Sequence, residues 1–143
     1  MRPLALAALL FAGGVAAADW RSVGEGGALL YDAPSSQATP LYVVTAQYPL
    51  EVIVELEGWA KVRDHTGSLT WVQKTALTER RCVIVTSPAT QVHVRPEEGA
   101  PVSFVAAQNV ALDLLEAAPG GWLHVRHADG ADGYLRASAA WGY

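Results

Sequence analysis

Cysteine is almost missing from this sequence: Cys82 is the only one among 143 residues. A single cysteine cannot form an intramolecular disulfide, so the fold must be stable without a covalent bridge. Cys82 begins an apolar run, CVIV, which favours a buried small side chain over a reactive thiol. A thiol hydrolase would also need a histidine held by a third polar group beside the cysteine, and no such motif accompanies it.

Apolar runs long enough to cross a membrane are also missing, since a spanning helix needs about 20 consecutive apolar residues. The apolar stretch at residues 4–15 is shorter, contains Gly13 and Gly14, follows Arg2 and leads into three alanines. This layout is typical of a secretory signal peptide, although a retained anchor is the competing interpretation. We predict a signal peptide at residues 1–18, export to the periplasm, and no stable membrane insertion after cleavage.

Positive charge is scarce. The chain has 10 lysines and arginines against 14 aspartates and glutamates, a formal net charge of −4, and loss of Arg2 with the signal peptide makes it one unit more negative. Binding to nucleic acid requires clustered positive charge, so we expect no nucleic-acid partner.

Catalytic and metal-binding motifs are lacking as well. His124 and His127 are three apart on a predicted strand and so face opposite sides, while His65 and His93 belong to other elements. Residues 129–133 (DGADG) lack the alternating ligands and closing glutamate of an EF-hand loop, which favours a hairpin turn. No phosphate loop or nucleophile elbow is present. We therefore predict a non-enzymatic protein with no metal and no cofactor.

What the sequence does contain is an internal repeat. A shift of 63 residues superposes residues 58–63 (GWAKVR) on residues 121–126 (GWLHVR) without a gap. At the same offset further pairs match: Gly67/Gly130, Trp71/Tyr134, Val72/Leu135, Leu29/Val92, Tyr31/Val94 and Val52/Leu115. Chance does not readily supply two rare tryptophans, two glycines and two arginines at one offset. We predict two homologous units, residues 23–80 and 82–143.

Each unit shows signals for short strands. Residues 41–45 and 50–56 are rich in β-branched side chains, and Leu50, Val52, Val54 and Leu56 alternate as in a half-buried strand. Residues 105–118 resemble a helix in composition, but their match to the valine-rich first copy opposes this. About five short strands per unit predict an all-β fold of two tandem small β-barrels. The connector, residues 78–81, is short and unlike a flexible tether, so we expect a fixed relation between the units.

The order of motifs around the Gly-Trp strand is similar to that of the bacterial SH3 domain family: a Gly-Trp strand, a turn with Gly67, then an aromatic-aliphatic pair at residues 71–72. Residues 28–34 (ALLYDAP) also resemble the opening of eukaryotic SH3 domains, and residues 92–96 (VHVRP) the start of a bacterial unit. The resemblance occurs twice, spans nearly all of the mature chain, and implies SH3-like barrels.

The resemblance also indicates which ligands to expect. The groove proline of eukaryotic SH3 domains, which follows the aliphatic residue, is replaced by Gln73 in the first copy and Arg136 in the second. The glycine that eukaryotic domains have before the aromatic residue is replaced by Thr70 in the first copy, and Gly133 restores it in the second. Recognition of proline-rich segments is therefore not implied. Cell-envelope binding is implied instead, because bacterial members commonly accompany peptidoglycan-processing enzymes as targeting or interaction modules.

Strand parity predicts which side chains leave the core. If residues 59–64 form a regular strand, Trp59, Lys61 and Arg63 share the outer face while Ala60 and Val62 point inward. The second copy repeats this pattern, with its outward set Trp122, His124 and Arg126 opposite Leu123 and Val125. By the same parity, Val72 and Leu135 point inward, and Trp71 and Tyr134 outward.

An exposed aromatic ring beside cations can stack on a sugar or peptide face and contact carboxylates. We hypothesise that Trp59 and Trp122 are ligand-facing platforms; the alternative is that they cover the barrel end or the joint between the units. The candidate ligand-binding set is Tyr31, Trp59, Lys61, Arg63, Trp122, His124 and Arg126. The predicted function is a non-catalytic cell-envelope module that binds peptidoglycan or a protein acting on it. A structural adaptor, holding a protein partner through its barrel surface or an edge strand, is the alternative.

Overall fold

A computed structural model describes residues 17–143, so almost all of the predicted signal peptide lies outside the described residues. The first unit contains strands β1 (Asp19–Val23), β2 (Ala28–Tyr31), β3 (Pro40–Val44), β4 (Pro49–Leu56), β5 (Trp59–Arg63), β6 (Leu69–Gln73) and β7 (Leu77–Thr78), with a 3-10 turn at Lys74–Ala76. The second contains β8 (Cys82–Val85), β9 (Thr90–His93), β10 (Val102–Ala106), β11 (Ala111–Ala118), β12 (Trp122–Arg126), β13 (Asp132–Arg136) and β14 (Ala140–Trp141), with a 3-10 turn at Ala137–Ala139.

The two units have the same topology. Each is a seven-stranded antiparallel sheet, in the orders β3-β2-β6-β5-β4-β1-β7 and β10-β9-β13-β12-β11-β8-β14. The described residues contain no α-helix, and no helix among them is long and apolar enough to cross a membrane. The all-β prediction of two tandem units is confirmed. The first sheet begins at Asp19, ahead of the predicted boundary at residue 23, and the second begins at Cys82.

Each sheet curls around its own core. In the first unit, apolar side chains from β1 to β6 form one cluster: Val23, Leu30, Val44, Leu50, Ala60, Val62 and Val72. The second cluster includes Val83, Val85, Val92, Leu112, Leu123, Val125 and Leu135. Because side chains from distant strands of one sheet meet in one cluster, each unit is a small barrel with a separate hydrophobic core.

The repeat carries a one-residue shift that the gapless superposition missed. Tyr31 pairs with Trp71 in the first sheet, and the equivalent Tyr134 pairs with His93, not Val94. The cause is the β11–β12 hairpin, which has two glycines at positive φ, at positions 120 and 121, where the first unit has only Gly58. The offset is therefore 62 before this hairpin and 63 after it.

The three upstream pairs of the sequence alignment are corrected accordingly. Burial agrees with the shift, since Leu29 is 42% exposed whereas its expected counterpart Val92 is fully buried. The equivalent residues are Leu30/Val92, Tyr31/His93 and Val52/Leu114.

A β-bulge changes the parity of β4. The register with β5 shifts between Val52 and Val54, so Val52 opposes the buried Val62 while Val54 opposes the outward Lys61. Val54 and Leu56 are 42% and 47% exposed. The prediction that Val54 and Leu56 continue the inward alternation is wrong, because the extra residue at the bulge reverses the side of the sheet on which the following side chains of β4 lie.

The two barrels differ at the position before the outward aromatic. Gly133 allows β13 to approach β9 closely, since an added Cβ would lie 2.5 Å from the carbonyl oxygen of His93. The first unit has Thr70 there, which is 2% exposed and whose hydroxyl has no hydrogen-bond partner within residues 17–143. A buried hydroxyl without a partner is destabilising.

Replacing Thr70 by valine removes this unpaired hydroxyl and keeps the branched shape that suits a strand. We expect the free energy of unfolding to rise by about 1 kcal/mol, measured by chemical denaturation. Thr90→Val is the matched control, because the buried Thr90 hydroxyl donates to the carbonyl oxygen of Ser87 at 3.1 Å. A loss of stability in Thr70→Val equal to that in Thr90→Val would contradict the interpretation.

An ion-pair network joins the two units. The Asp113 side chain on β11 is 10% exposed and accepts two hydrogen bonds from Arg80 of the connector, at 2.7 and 2.6 Å. It also accepts one from the Gln47 amide of the first unit at 3.1 Å. Burial alone would raise the pKa of Asp113, but the bonds and charge of Arg80 outweigh it and hold that pKa below its ordinary value.

Aromatic packing forms the other part of this joint. Trp20 on β1 meets Trp141 on β14 edge to face, with ring centroids 4.7 Å apart. Gly142 passes so close to the first unit that an added Cβ would lie 3.0 Å from the Pro49 Cβ. The expected fixed relation between the units therefore has a physical basis in both charged and apolar contacts.

Arg80→Ala removes the main partner of a nearly buried carboxylate. We expect a loss of about 1.5–3 kcal/mol in the free energy of unfolding near neutral pH. Because folding lowers the pKa of Asp113, its carboxylate stabilises the fold above the ordinary value of 3.8 and this contribution disappears as pH falls through the lowered value. The difference between variant and native protein should shrink over that acidic range.

The control for this measurement is Arg95→Ala. Its ion pair with Glu97 is 3.7 Å long and both side chains are more than half exposed, so its removal should change stability by less than about 0.5 kcal/mol. Equal, pH-independent losses in the two variants would contradict a stabilising role for the Arg80–Asp113 pair.

Candidate functional site

The outer surface of the first unit carries a cluster of aromatic rings. Antiparallel pairing places Trp59 on β5 between Leu56 and Gln73, and Lys61 between Val54 and Trp71. Tyr31 on β2 pairs with Trp71 on the far side. Paired residues of neighbouring strands share a face. We call this surface the first aromatic face: Tyr31, Val54, Leu56, Trp59, Lys61 and Trp71.

The rings of the first aromatic face contact one another but keep solvent-accessible surface. Tyr31 and Trp59 meet edge to face, with centroids 5.4 Å apart and planes at 83°. The Lys61 ammonium lies 6.0 Å from the centroid of the Trp71 ring. All four side chains are half-buried, whereas Ala60 and Val62 between them are fully buried. The outward orientation predicted from parity is confirmed for Trp59, Lys61 and Trp71.

Arg63 lies at the end of this face. Its side chain is exposed, pairs with Glu51 at 3.3 Å, and stands opposite Leu69 on β6. The first unit thus brings together four of the predicted site residues, Tyr31 on β2 and Trp59, Lys61 and Arg63 on β5, on the two strands that flank β6.

The second unit repeats the aromatic geometry. His93 takes the place of Tyr31 and meets Trp122 edge to face at 5.6 Å and 89°. His124 takes the place of Lys61 and stacks on Tyr134, with centroids 4.4 Å apart and planes at 9°. We call this surface the second aromatic face: His93, Trp122, His124 and Tyr134.

Trp122, however, is covered. It lies on the outer side of β12 as parity predicts, yet it is only 5% exposed, because the Arg136 guanidinium carbon sits 4.2 Å from its ring centroid. Arg136 donates from Nε to one carboxylate oxygen of Glu98 at 2.7 Å, with Nη2 also 2.7 Å from that oxygen, and it donates from Nη1 to the Gly120 carbonyl oxygen at 3.1 Å. The structure therefore differs from the expectation of an open platform at Trp122.

The cover follows from two sequence differences between the units. Gln73 stands at the position of Arg136, since each pairs with the tryptophan of its unit. Ser36 stands at the position of Glu98, in turns with the same hydrogen bonds. A neutral amide and a hydroxyl cannot form this charged pair, so Trp59 remains half-buried where Trp122 is closed.

The other two predicted site residues of the second unit are already engaged. His124 donates from Nε2 to the Asp132 carboxylate at 2.8 Å and stacks on Tyr134. Arg126 is exposed but its Nε lies 3.9 Å from the Asp113 carboxylate, toward the joint between the units. The second set is therefore not one surface: His124 belongs to the second aromatic face and Arg126 to the joint.

The cysteine thiol lies outside these faces. Cys82 is 2% exposed, as its apolar context predicts, and burial raises the pKa of its thiol to about 11. It donates weakly to Asp113 on the neighbouring strand β11, at 3.7 Å. Between residues 17 and 143 no three histidine, cysteine, aspartate or glutamate side chains are grouped as metal ligands.

The contributors to these faces that sequence reasoning missed include Val54, Leu56, His93, Arg136 and Glu98. Val54 and Leu56 join the first face only because of the bulge in β4. Arg136 and Glu98 cover the second face from positions 38 residues apart. The difference between Gln73 and Arg136 is visible in the sequence. Only the register of β12 and β13, which pairs Arg136 with Trp122, shows that Arg136 lies over the Trp122 ring.

A family model of the bacterial SH3 domain matches the chain twice, over residues 24–79 and 87–142. The chain belongs to the bacterial SH3 domain family. Each match falls on one of the two barrels, so the resemblance noted at the Gly-Trp strands is confirmed for both. No curated protein matches the chain significantly.

Solved structures that match the chain include NlpC2 and NlpC1 from Trichomonas vaginalis, each at a TM-score of 0.41, with 17% and 15% identity. They cover 89% and 96% of this chain, but 49% and 51% of their own. An NlpC/P60 family protein from Bacillus cereus matches at a TM-score of 0.36 and 17% identity, over 86% of this chain and 56% of its own. This bacterial SH3 chain thus spans about half the length of these structures.

Proposed function

We propose that this bacterial SH3 protein is a non-catalytic cell-envelope module, exported to the periplasm, that holds peptidoglycan or a protein acting on it on the first aromatic face. The observation that supports this most is the open Tyr31–Trp59 pair beside Lys61 and Trp71. The proposed location rests on the predicted signal peptide.

The chemistry of the first aromatic face suits a glycan-peptide polymer. Half-buried rings offer flat apolar area at a low cost in side-chain entropy, and can stack on a sugar ring or a peptide plane. Lys61 and Arg63 add positive charge on the same face, which can contact the carboxylates of an anionic cell-wall fragment. Val54 and Leu56, both more than 40% exposed, extend the apolar area beyond the rings.

The family supports binding over catalysis. Both matched regions are bacterial SH3 domains. The resemblance noted in the sequence implies that members of this family accompany catalysis carried by separate domains. The thiol of Cys82 is buried and has a raised pKa, which disfavours the reactive thiolate. A net charge of −4 opposes polyanion binding in general, so recognition of an envelope polymer has to come from local surface chemistry.

Co-sedimentation of the exported protein with purified sacculi at low ionic strength tests the proposal. Trp59→Ala removes the central ring, and we expect retention to weaken by about 1–2 kcal/mol, roughly five- to thirtyfold. Trp59→Phe keeps a stacking ring and should retain part of the binding. Tyr143→Ala is the matched control, because Tyr143 is a 52% exposed aromatic outside this face.

Circular dichroism of each variant confirms that the barrels are intact. Retention of folded Trp59→Ala equal to that of the native protein would overturn the proposal that this face holds the wall. Loss of the native protein itself to the supernatant would exclude direct wall binding and leave a protein partner.

One observation favours the adaptor alternative. Among the strands that the structure describes, β3 (Pro40–Val44) is an edge of the first sheet and pairs only with β2. Its Leu41, Tyr42 and Val43 are 47%, 51% and 79% exposed. Such an edge can accept a strand from a partner. In the sacculus assay Val43→Lys should leave retention unchanged; selective loss in this variant would transfer the binding role to the β3 edge.

A further inference from the structure

The second unit contains a groove beside its covered tryptophan. It has a volume of about 350 Å³, and its lining includes Pro88, His93, Glu98, Trp122, Arg136 and Ser138. Arg136 is the one cation among the lining residues and Glu98 the one carboxylate. The groove thus contains a single ion pair, between Arg136 and Glu98, next to the Trp122 ring.

Arg136 is held in a fixed orientation. Its guanidinium lies on the Trp122 ring at 4.2 Å, and Nη1 donates to the Gly120 carbonyl oxygen at 3.1 Å. The Nε and Nη2 groups are left, and these form the edge of a guanidinium that fits the two oxygens of a carboxylate. The Trp122 ring and the Gly120 carbonyl therefore preorganise this edge for an anion.

Glu98 occupies that edge in an imperfect way. Nε donates to Oε1 of Glu98 at 2.7 Å, and Nη2 lies 2.7 Å from the same oxygen atom. A carboxylate that presented both oxygens would make two parallel bonds instead of sharing one acceptor. The Glu98 side chain is 68% exposed and lies in the turn between β9 and β10, so this exposed ion pair is weak and can be displaced.

We propose that the second unit binds the terminal carboxylate of a peptide on Arg136, above Trp122, and that Glu98 occupies this site until the ligand displaces it. The ligand class is a short peptide with a free C-terminal carboxylate. The first unit lacks this site, because Gln73 and Ser36 replace the two charged residues. The inference deepens the proposed function by giving the second unit its own ligand group.

An NMR titration of the ¹⁵N-labelled exported protein tests this. The probes are N-acetyl-D-alanyl-D-alanine, its L,L isomer, and the C-terminal amide of each. We expect the acids, and not the amides, to shift the Arg136 Nε–H and the Trp122 indole N–H signals. A response to the D,D isomer alone indicates a cell-wall stem peptide as the source, and a response to the L,L isomer alone a protein C-terminus; both support the carboxylate site.

Variants separate the roles of the two charged residues. Glu98→Gln removes the competing carboxylate, and we expect binding of the responding peptide to tighten roughly three- to tenfold. Arg136→Gln introduces the residue that the first unit has at this position, Gln73, and that the fold of the first unit accommodates. This variant should abolish the shift of the Trp122 indole N–H signal. Arg136→Lys keeps the charge without the two-pronged edge and should bind more weakly than the native protein.

Equal shifts with acid and amide, no shift with any peptide, or unchanged affinity in Glu98→Gln would overturn the inference. The titration needs neither sacculi nor Trp59. If the first aromatic face does not retain the protein on the wall, the titration can still succeed. A negative titration, in turn, does not affect the proposal that the first aromatic face binds the wall.

Discussion

Alternate side chains of β5 and β12 point to opposite sides of their sheets, and the other features of both barrels depend on this constraint. Ala60 and Val62 are fully buried in the first core, and Leu123 and Val125 nearly so in the second. With these positions fixed inside, the tryptophan that begins each strand cannot turn inward without moving the whole strand by one residue. The core thereby determines that an indole ring stands on the outer surface of each unit.

The same framework supports two different surfaces. Both units place an aromatic pair edge to face at nearly equal distances, 5.4 and 5.6 Å, so the backbone geometry is shared. The difference arises at two positions, where Arg136 and Glu98 close over Trp122 and their neutral counterparts leave Trp59 open. The Asp113 network joins the two units through hydrogen bonds from Arg80 and Gln47.

Local patterns in the sequence predicted the parts of the structure that depend on local geometry. Alternation over residues 59–63 placed Trp59 outside and Val62 inside, and the recurring Gly-Trp motif predicted two barrels of one family. The predictions were wrong at two places where one unit or strand contains an extra residue that the pattern of residue types does not reveal. The bulge in β4 reversed Val54 and Leu56, and the extra glycine before Trp122 shifted the upstream alignment by one. Contacts distant in sequence, such as Arg136 with Glu98 and Arg80 with Asp113, follow from register and not from pattern.

In the proposed function, the outer surface of the first unit holds the cell wall while its barrel stays rigid. Residue-resolved NMR line broadening, recorded as sacculi are added to the ¹⁵N-labelled protein, tests this proposal. We expect broadening to begin at the amides of β2, β5 and β6 around Tyr31, Trp59 and Trp71. Broadening that begins at the β3 edge or at the Trp20–Trp141 joint, with this surface unaffected, would contradict it.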